Sequence, residues 1–251
     1  METYLDIVSF IGLDVSTDLK KVNTLSNFVS NGKLLGLTPF STEWGILYSK
    51  SRAGTKPRYP SLGDIDRIVA VCQNDCNLSI HLCGHEAIDE FFHERSPFQN
   101  HFRYPEFSRI QLNINLNDFQ DNAWLVDSII KQLRHHTIVI QENKTKHDFV
   151  TKLKFQAKKH NLTEYLTILH DASGGTGKVI SNVERPDVDF YTGYAGGLNP
   201  DNVISIVDQL DSLNVMGTPY YIDMESGIRT NDYLDVDKCI SIVNQLVRYY
   251  D

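Results

Sequence analysis

The segment Leu166-Thr167-Ile168-Leu169-His170-Asp171-Ala172-Ser173-Gly174-Gly175-Thr176-Gly177-Lys178 reads as a short apolar run that ends in a carboxylate and a glycine-rich turn. The pattern returns twice downstream. Asp189-Phe190-Tyr191-Thr192-Gly193-Tyr194-Ala195 runs into Gly196-Gly197-Leu198-Asn199-Pro200, and Tyr220-Tyr221-Ile222-Asp223-Met224 is followed by Ser226-Gly227. Each turn sits at the carboxyl end of a β-rich run. That is where a (β/α)8 barrel carries its site, and turns after the last two strands, next to a helix start, form the usual phosphate cradle.

Outward from this stretch, β-rich runs alternate with helical patterns along the chain, which signals repeated βα units and a parallel sheet. The earlier runs are Ile7–Leu13, Trp44–Tyr48, Ser79–Gly84, Arg109–Asn113 and Thr137–Gln141. Thr17-Asp18 opens a helix through Leu19, Val22, Leu25 and Phe28, and a closing amphipathic helix carries Cys239, Ile240, Ile242, Val243 and Leu246. The expected fold is α/β, a single (β/α)8 TIM barrel over residues 1–251. Phe91–Phe107, with Pro97, Pro105 and several aromatics, is a candidate flap, and the loop Ser49–Pro60 is long enough to serve function at the mouth.

The chain has 251 residues and a net charge of -8, without a concentrated Lys/Arg surface of the kind that holds nucleic acid. Lys152, Lys154, Lys158 and Lys159, interrupted by Leu153 and Phe155, read as the solvated face of a helix. Four cysteines are too few for a disulfide scaffold, and Cys72 and Cys76 have no second Cys or His pair at zinc-finger spacing, so no metal is expected. The start Met1-Glu2-Thr3 has no basic n-region or apolar signal core. With no apolar run near the ~18 residues that span a bilayer, a soluble, cytoplasmic protein without membrane partner or cofactor is expected.

Alternation along a strand puts His81 with Cys83, Gln111 with Asn113, and Thr167 with Leu169 and Asp171 on shared faces, directed to the barrel mouth. A carboxylate partly withdrawn from water at a strand end suits acid or base work. Asp171 is the first candidate. It could instead cap the following turn through backbone N–H groups, but the glycines beside it favour function. The run Ser173–Lys178 is not a P-loop, because Val179 stands where a Mg²⁺-binding Ser or Thr would follow the Lys and the glycine spacing differs. It reads as a flexible loop that lets backbone amides approach an anion. Pro200 sits at or near the first turn of a helix through Val203 and Ile206, whose free N–H groups suit phosphate. His135 and His136 fall at the opposite end of the barrel, and His170 alternates away from Asp171 to pack under a helix. His81 and His85 remain secondary candidates.

These motifs resemble those of the phosphoribosylanthranilate isomerase family, barrel enzymes of tryptophan synthesis, most clearly over about the last third of the chain. Leu169 to Lys178 is similar to the family's Leu-Leu-Asp-Ala and Gly-Gly-Thr-Gly-Lys loop, Ala195 to Val203 to its Ala-Gly-Gly-Leu-Asn-Pro-Glu-Asn-Val turn, and Asp223 to Gly227 to its Asp-Val-Ser-Ser-Gly. Gln111-Leu112-Asn113 resembles the family's Gln-Leu-His. The resemblance implies an Amadori rearrangement: an acid, matched by Asp171, protonates the ribose ring oxygen, the ring opens to a Schiff base, and a base removes the C2′ proton. It implies phosphate binding at Gly174, Gly175, Gly196, Gly197, Ser226 and Gly227, and substrate binding at Gln111, Asn113 and Asp223. The family's Ser-Pro-Arg arginine is matched by Arg52 or Arg58. The family's base is a Cys in Lys-Ile-Cys-Gly-Leu, where this chain has Ser9-Phe10-Ile11-Gly12-Leu13. Ile11 cannot accept a proton, so Cys83 or Asp14 is the candidate substitute. The expected function is acid/base isomerisation of a phosphoribosyl or other sugar-phosphate substrate, an isomerase of the intramolecular oxidoreductase type. The alternative is a non-catalytic barrel that binds a phosphorylated metabolite or a protein.

Overall fold

The computed structural model describes residues 4–98, 106–171 and 183–251. Eight parallel strands close into a barrel in chain order. They are β1 Leu5–Ile11, β2 Ser41–Tyr48, β3 Asn77–Cys83, β4 Arg109–Asn113, β5 Ile138–Glu142, β6 Leu166–Asp171, β7 Tyr191–Ala195 and β8 Tyr220–Met224. Phe10 of β1 pairs with Trp44 of β2 and with Met224 of β8, which closes the ring. The helices outside it are α1 Leu19–Leu34, α2 Leu62–Cys72, α3 His85–Phe92, α4 Asn122–Gln132, α5 His147–Lys159, α6 Val203–Leu213 and α7 Val236–Tyr250. A two-stranded ribbon, β9 Arg229–Thr230 and β10 Tyr233–Leu234, stands between β8 and α7. Among the described residues no helix is long and apolar enough to cross a membrane.

The eight expected strands all form, and β4, β6 and β8 have the bounds read from the sequence. β1 lies two residues earlier than expected, because Gly12 takes φ +111° and turns the chain after Ile11. β7 starts at Tyr191 rather than Asp189, whose N–H is held in a turn by the Asp187 carboxylate at 2.9 Å. Helix starts follow local chemistry. Asp18 accepts the N–H groups of Lys20 and Lys21, each at 3.1 Å, and Ser61 with Asp64 forms a capping box on α2. Phe91 and Phe92 belong to α3, and Phe98 and Phe107 are buried with ring centroids 6.4 Å apart, so the two described ends of Phe91–Phe107 pack into the core. Residues 99–105 of that stretch lie outside the described residues.

Most core side chains fill the space between barrel and helices, among them Val22 and Val29 of α1, Ile65 of α2, Leu153 of α5 and Val243 of α7. The barrel interior is more polar. There the guanidinium of Arg109 (β4) meets the carboxylate of Glu43 (β2) through Nη2 to Oε1 at 2.7 Å and Nε to Oε2 at 2.9 Å. Ser9 (β1) donates to Oε1 at 2.9 Å and Ser108 to Oε2 at 3.2 Å. The Arg109 and Glu43 side chains keep only 7% and 1% of their surface. Arg109 also lies 4.0 Å from the centroid of the Tyr221 ring on β8. Gly193 of β7 makes that ring fit, since a Cβ there would stand 2.0 Å from it. Burial works against a charged Glu43, but the charge and hydrogen bonds of Arg109 and the hydroxyl of Ser9 outweigh it and hold the carboxyl below its ordinary value.

Removing one member of such a pair strands the other in a dry interior. Arg109→Met should therefore cost about 3–5 kcal/mol of folding stability, read by urea denaturation; a loss under about 1 kcal/mol would show that Glu43 is not held as a buried ion.

Candidate active site

A cleft opens at the carboxyl ends of the strands, lined by Arg58, His81, Gln111, Asn113, Gln141, Asp171, the turn 195–198 after β7 and the stretch 223–226 that ends β8. Register explains why these residues converge. Asp171 of β6 pairs with Ala195 of β7, which pairs with Asp223 of β8, so three consecutive strands deliver one rung to the mouth. On the other side His81 pairs with Gln111, and Cys83 with Asn113.

Asp171, Arg58, Gln111, Asn113, Asp223, Gly196, Gly197 and Ser226, all read from the sequence, line this cleft together. Gly227 supports it from behind. A Cβ on Gly227 would stand 1.9 Å from the carbonyl oxygen of Leu198, so the β7 and β8 turns touch there and only glycine fits. Gly197 takes φ +62°, and its carbonyl accepts the side-chain amides of Asn199 and Asn202, both at 3.0 Å. The Asn-Pro-Asp-Asn turn thereby fixes the loop directly ahead of α6. Gly174 and Gly175 lie outside the described residues.

Cys83, Arg52 and Asp14 stand apart from the cleft lining. Cys83 packs with Ile11, Leu47 and Tyr59. Its thiol donates to the His81 carbonyl at 3.6 Å and accepts from Asn113 Nδ2 at 3.0 Å, and burial pushes it up to about 12, which keeps it protonated at neutral pH. Arg52 lies over the Tyr59 ring at 4.2 Å and donates to Ser49 Oγ at 3.1 Å. Asp14 is 1% exposed. One of its oxygens accepts the Leu234 N–H at 2.9 Å; the other takes the N–H and hydroxyl of Ser16 at 2.9 and 2.7 Å. Its carboxylate ties β10 to the turn after β1. His85 opens α3 with its ring 4.9 Å from that of Phe119, and His170 stacks on Tyr194 at 5.6 Å.

The environments of the mouth groups differ in ways that chemistry can use. Burial drives Asp223 well above the ordinary carboxylate range, with Arg109 pulling the other way. Burial lowers His81 to about 4, against Glu43, so the imidazole is neutral. Gln111 Nε2 donates to Asn113 Oδ1 at 2.8 Å, and Asn113 passes its own N–H to Cys83, so the β4 amides are held in order.

Sequence reasoning passed over Glu225, a further lining residue. Its Oε1 accepts from Arg58 Nη1 at 3.0 Å, while Arg58 also donates to Asp232 through Nε at 2.9 Å and through Nη2. The Glu225 side chain keeps 35% of its surface, yet burial raises its carboxyl, with Arg229 and Arg58 opposing. It was legible as the acid standing in the resembled family's Asp-Val-Ser-Ser-Gly pattern where that pattern has serine.

A closed parallel barrel with a polar cleft at the carboxyl ends of its strands defines a TIM-barrel protein of the kind that works on ligands at this face. This chain belongs to the N-(5′-phosphoribosyl)anthranilate isomerase family, whose model matches residues 106–245. No curated protein sequence matches it. Among solved structures it is similar to phosphoribosyl anthranilate isomerase from Thermotoga maritima, at 16% identity and a TM-score of 0.58, covering 97% of this chain and 98% of that one. The enzyme from Thermus thermophilus gives 12% identity and a TM-score of 0.53, with 97% and 99% covered. A phosphoribosyl anthranilate isomerase in complex with reduced 1-(o-carboxyphenylamino)-1-deoxyribulose 5-phosphate gives 15% identity and a TM-score of 0.55, with 96% and 98% covered.

The neutral imidazole of His81 gives a direct check on the floor of the cleft. Its pKa of about 4 lies below the ~6.5 of an unfolded histidine. The stability this shift represents is complete above ~6.5 and is lost as pH falls toward 4. NMR of the ring nitrogens should show neutral His81 at pH 5.5; a cationic ring at that pH would contradict the dry environment described.

Proposed function

We propose that this chain is an isomerase that converts an N-phosphoribosyl amine, or a similar amine-bearing sugar phosphate, into the corresponding 1-amino-1-deoxyketose phosphate. The observation that carries this reading is that Asp171 lines the same cleft as the Gly196-Gly197 turn and Ser226. An acid and two phosphate-type turns converging on one cleft suit a substrate with a phosphate at one end and a labile ring oxygen at the other.

In this reading the backbone amides of Gly196, Gly197, Ser226 and Gly227 hold the phosphate, joined by Gly174 and Gly175. Asp171 protonates the ring oxygen, which loosens the bond to the anomeric carbon and opens the ring to a Schiff base. Gln111, Asn113 and Asp223 direct hydrogen bonds at the sugar hydroxyls. One similar solved protein carries reduced 1-(o-carboxyphenylamino)-1-deoxyribulose 5-phosphate, and the reading extends a ligand of that class to this cleft.

Two variants separate chemistry from binding. Asp171→Asn should lower kcat on N-(5′-phosphoribosyl)anthranilate by about 10²–10⁴-fold, the usual worth of a general acid, while calorimetry still detects the reduced analogue. Gly197→Asp should abolish analogue binding, because it adds a carboxylate to the cradle and a side chain at a positive φ. Unchanged turnover in the first variant would remove Asp171 from the acid role, and undiminished binding in the second would move the phosphate elsewhere.

A further inference from the structure

The chain keeps an acid at Asp171 but has isoleucine where the resembled family carries its basic cysteine, so a proposal of isomerase chemistry needs a proton acceptor elsewhere. Resting on the function proposed above, we infer that Glu225 is the general base of this site and that Arg58 positions it.

Strand register carries the inference. Phe10 of β1 pairs with Met224 of β8, so one step further along the two strands Glu225 comes level with Ile11. Glu225 therefore follows directly on the end of the neighbouring strand, at the height where the missing base would be. Glu225 and Asp171 line the same cleft, and the charge of Asp171 is among those that raise the Glu225 carboxyl.

The other groups near this point are unsuited to the task. Cys83 is a buried thiol that holds its proton, Asp14 spends both oxygens on Leu234 and Ser16, and Asp223 is buried at 7% exposure, which lifts its carboxyl well above the ordinary range. Glu225 is open to the mouth, and burial together with the charges of Asp232 and Asp171 raises its carboxyl against Arg229 and Arg58, which makes the carboxylate a stronger base. Arg58 occupies Oε1, and among the described residues nothing bonds Oε2. Asp232, at φ +68° in the turn between β9 and β10, holds the other edge of the guanidinium, so the fork arrives at Glu225 already oriented.

The proton balance closes with two carboxyl groups. Asp171 gives its proton to the ring oxygen as the C–O bond breaks, leaving a protonated Schiff base at C1. Glu225 takes the proton from C2, the C–H electron pair becomes the C1–C2 double bond, and the C=N pair returns to nitrogen. Glu225 then gives its proton to C1 while the C2 hydroxyl proton goes to Asp171 and the ketone forms. Both carboxyl groups end as they began, and no oxidant or reductant is consumed.

The test uses the full chain with N-(5′-phosphoribosyl)anthranilate. Glu225→Gln should lose about 10²–10⁴-fold in kcat with KM nearly unchanged, and the acid limb of its kcat/KM pH profile should vanish. Glu225→Asp should keep that limb, and added formate should partly restore turnover to Glu225→Ala, which a merely structural ion pair with Arg58 would not allow. If Glu225→Gln keeps the wild-type rate and acid limb while Asp171→Asn is inactive, the base assignment falls alone. A wild-type protein that turns over no N-phosphoribosyl amine overturns the proposed function and the base with it.

Discussion

The buried ion pair between Glu43 and Arg109 is the interaction on which the interior of this barrel is arranged. It joins β2 to β4 directly, reaches β1 through Ser9, and meets β8 through the Tyr221 ring. A charge pair in a dry interior is expensive unless its hydrogen-bonding capacity is met. Ser9 and Ser108 complete the carboxylate, although Nη1 of Arg109 finds no hydrogen-bond partner among the described residues. The pair also sets the field above it. Arg109 and Glu43 act in opposite senses on both His81 and Asp223, two buried titratable groups that line the cleft.

Above that layer the mouth separates its carboxyl groups by environment. Asp223 is 7% exposed and its carboxyl is driven well above the ordinary range; Glu225 keeps 35% of its side-chain surface and is gripped by Arg58. Two groups of one chemical type are thus raised to different degrees, the kind of division that acid–base catalysis uses. Arg58 is drawn into this division from the β2–α2 loop. Its contacts with Glu225 and Asp232 join that loop to β8 and to the β9–β10 ribbon.

Much of the fold was legible because a parallel barrel repeats one pattern. Strands such as Leu166–Asp171 and Tyr220–Met224 combine β-branched or aromatic residues with a polar end, and their bounds were readable to the residue. Alternation also placed Asp171, Gln111 and Asn113 correctly at the mouth, because side-chain direction along a strand is a local property. The ion pair was not legible. Glu43 and Arg109 are 66 positions apart, and their meeting depends on barrel closure and strand stagger, which no local pattern encodes. Choosing between Arg52 and Arg58 had the same difficulty. Both sit in one irregular loop, and only the fold shows that Arg58 lines the cleft while Arg52 turns onto Tyr59. Asp14 looked available because it follows a strand, but its partners lie on the late ribbon, 220 positions away for Leu234.

The most direct measurement is a crystal structure with reduced 1-(o-carboxyphenylamino)-1-deoxyribulose 5-phosphate. The account predicts the phosphate between Gly197 and Ser226, with the sugar chain passing between the carboxyl groups of Asp171 and Glu225. An analogue bound elsewhere, or bound in the cleft with its phosphate directed away from the β7 and β8 turns, would contradict it.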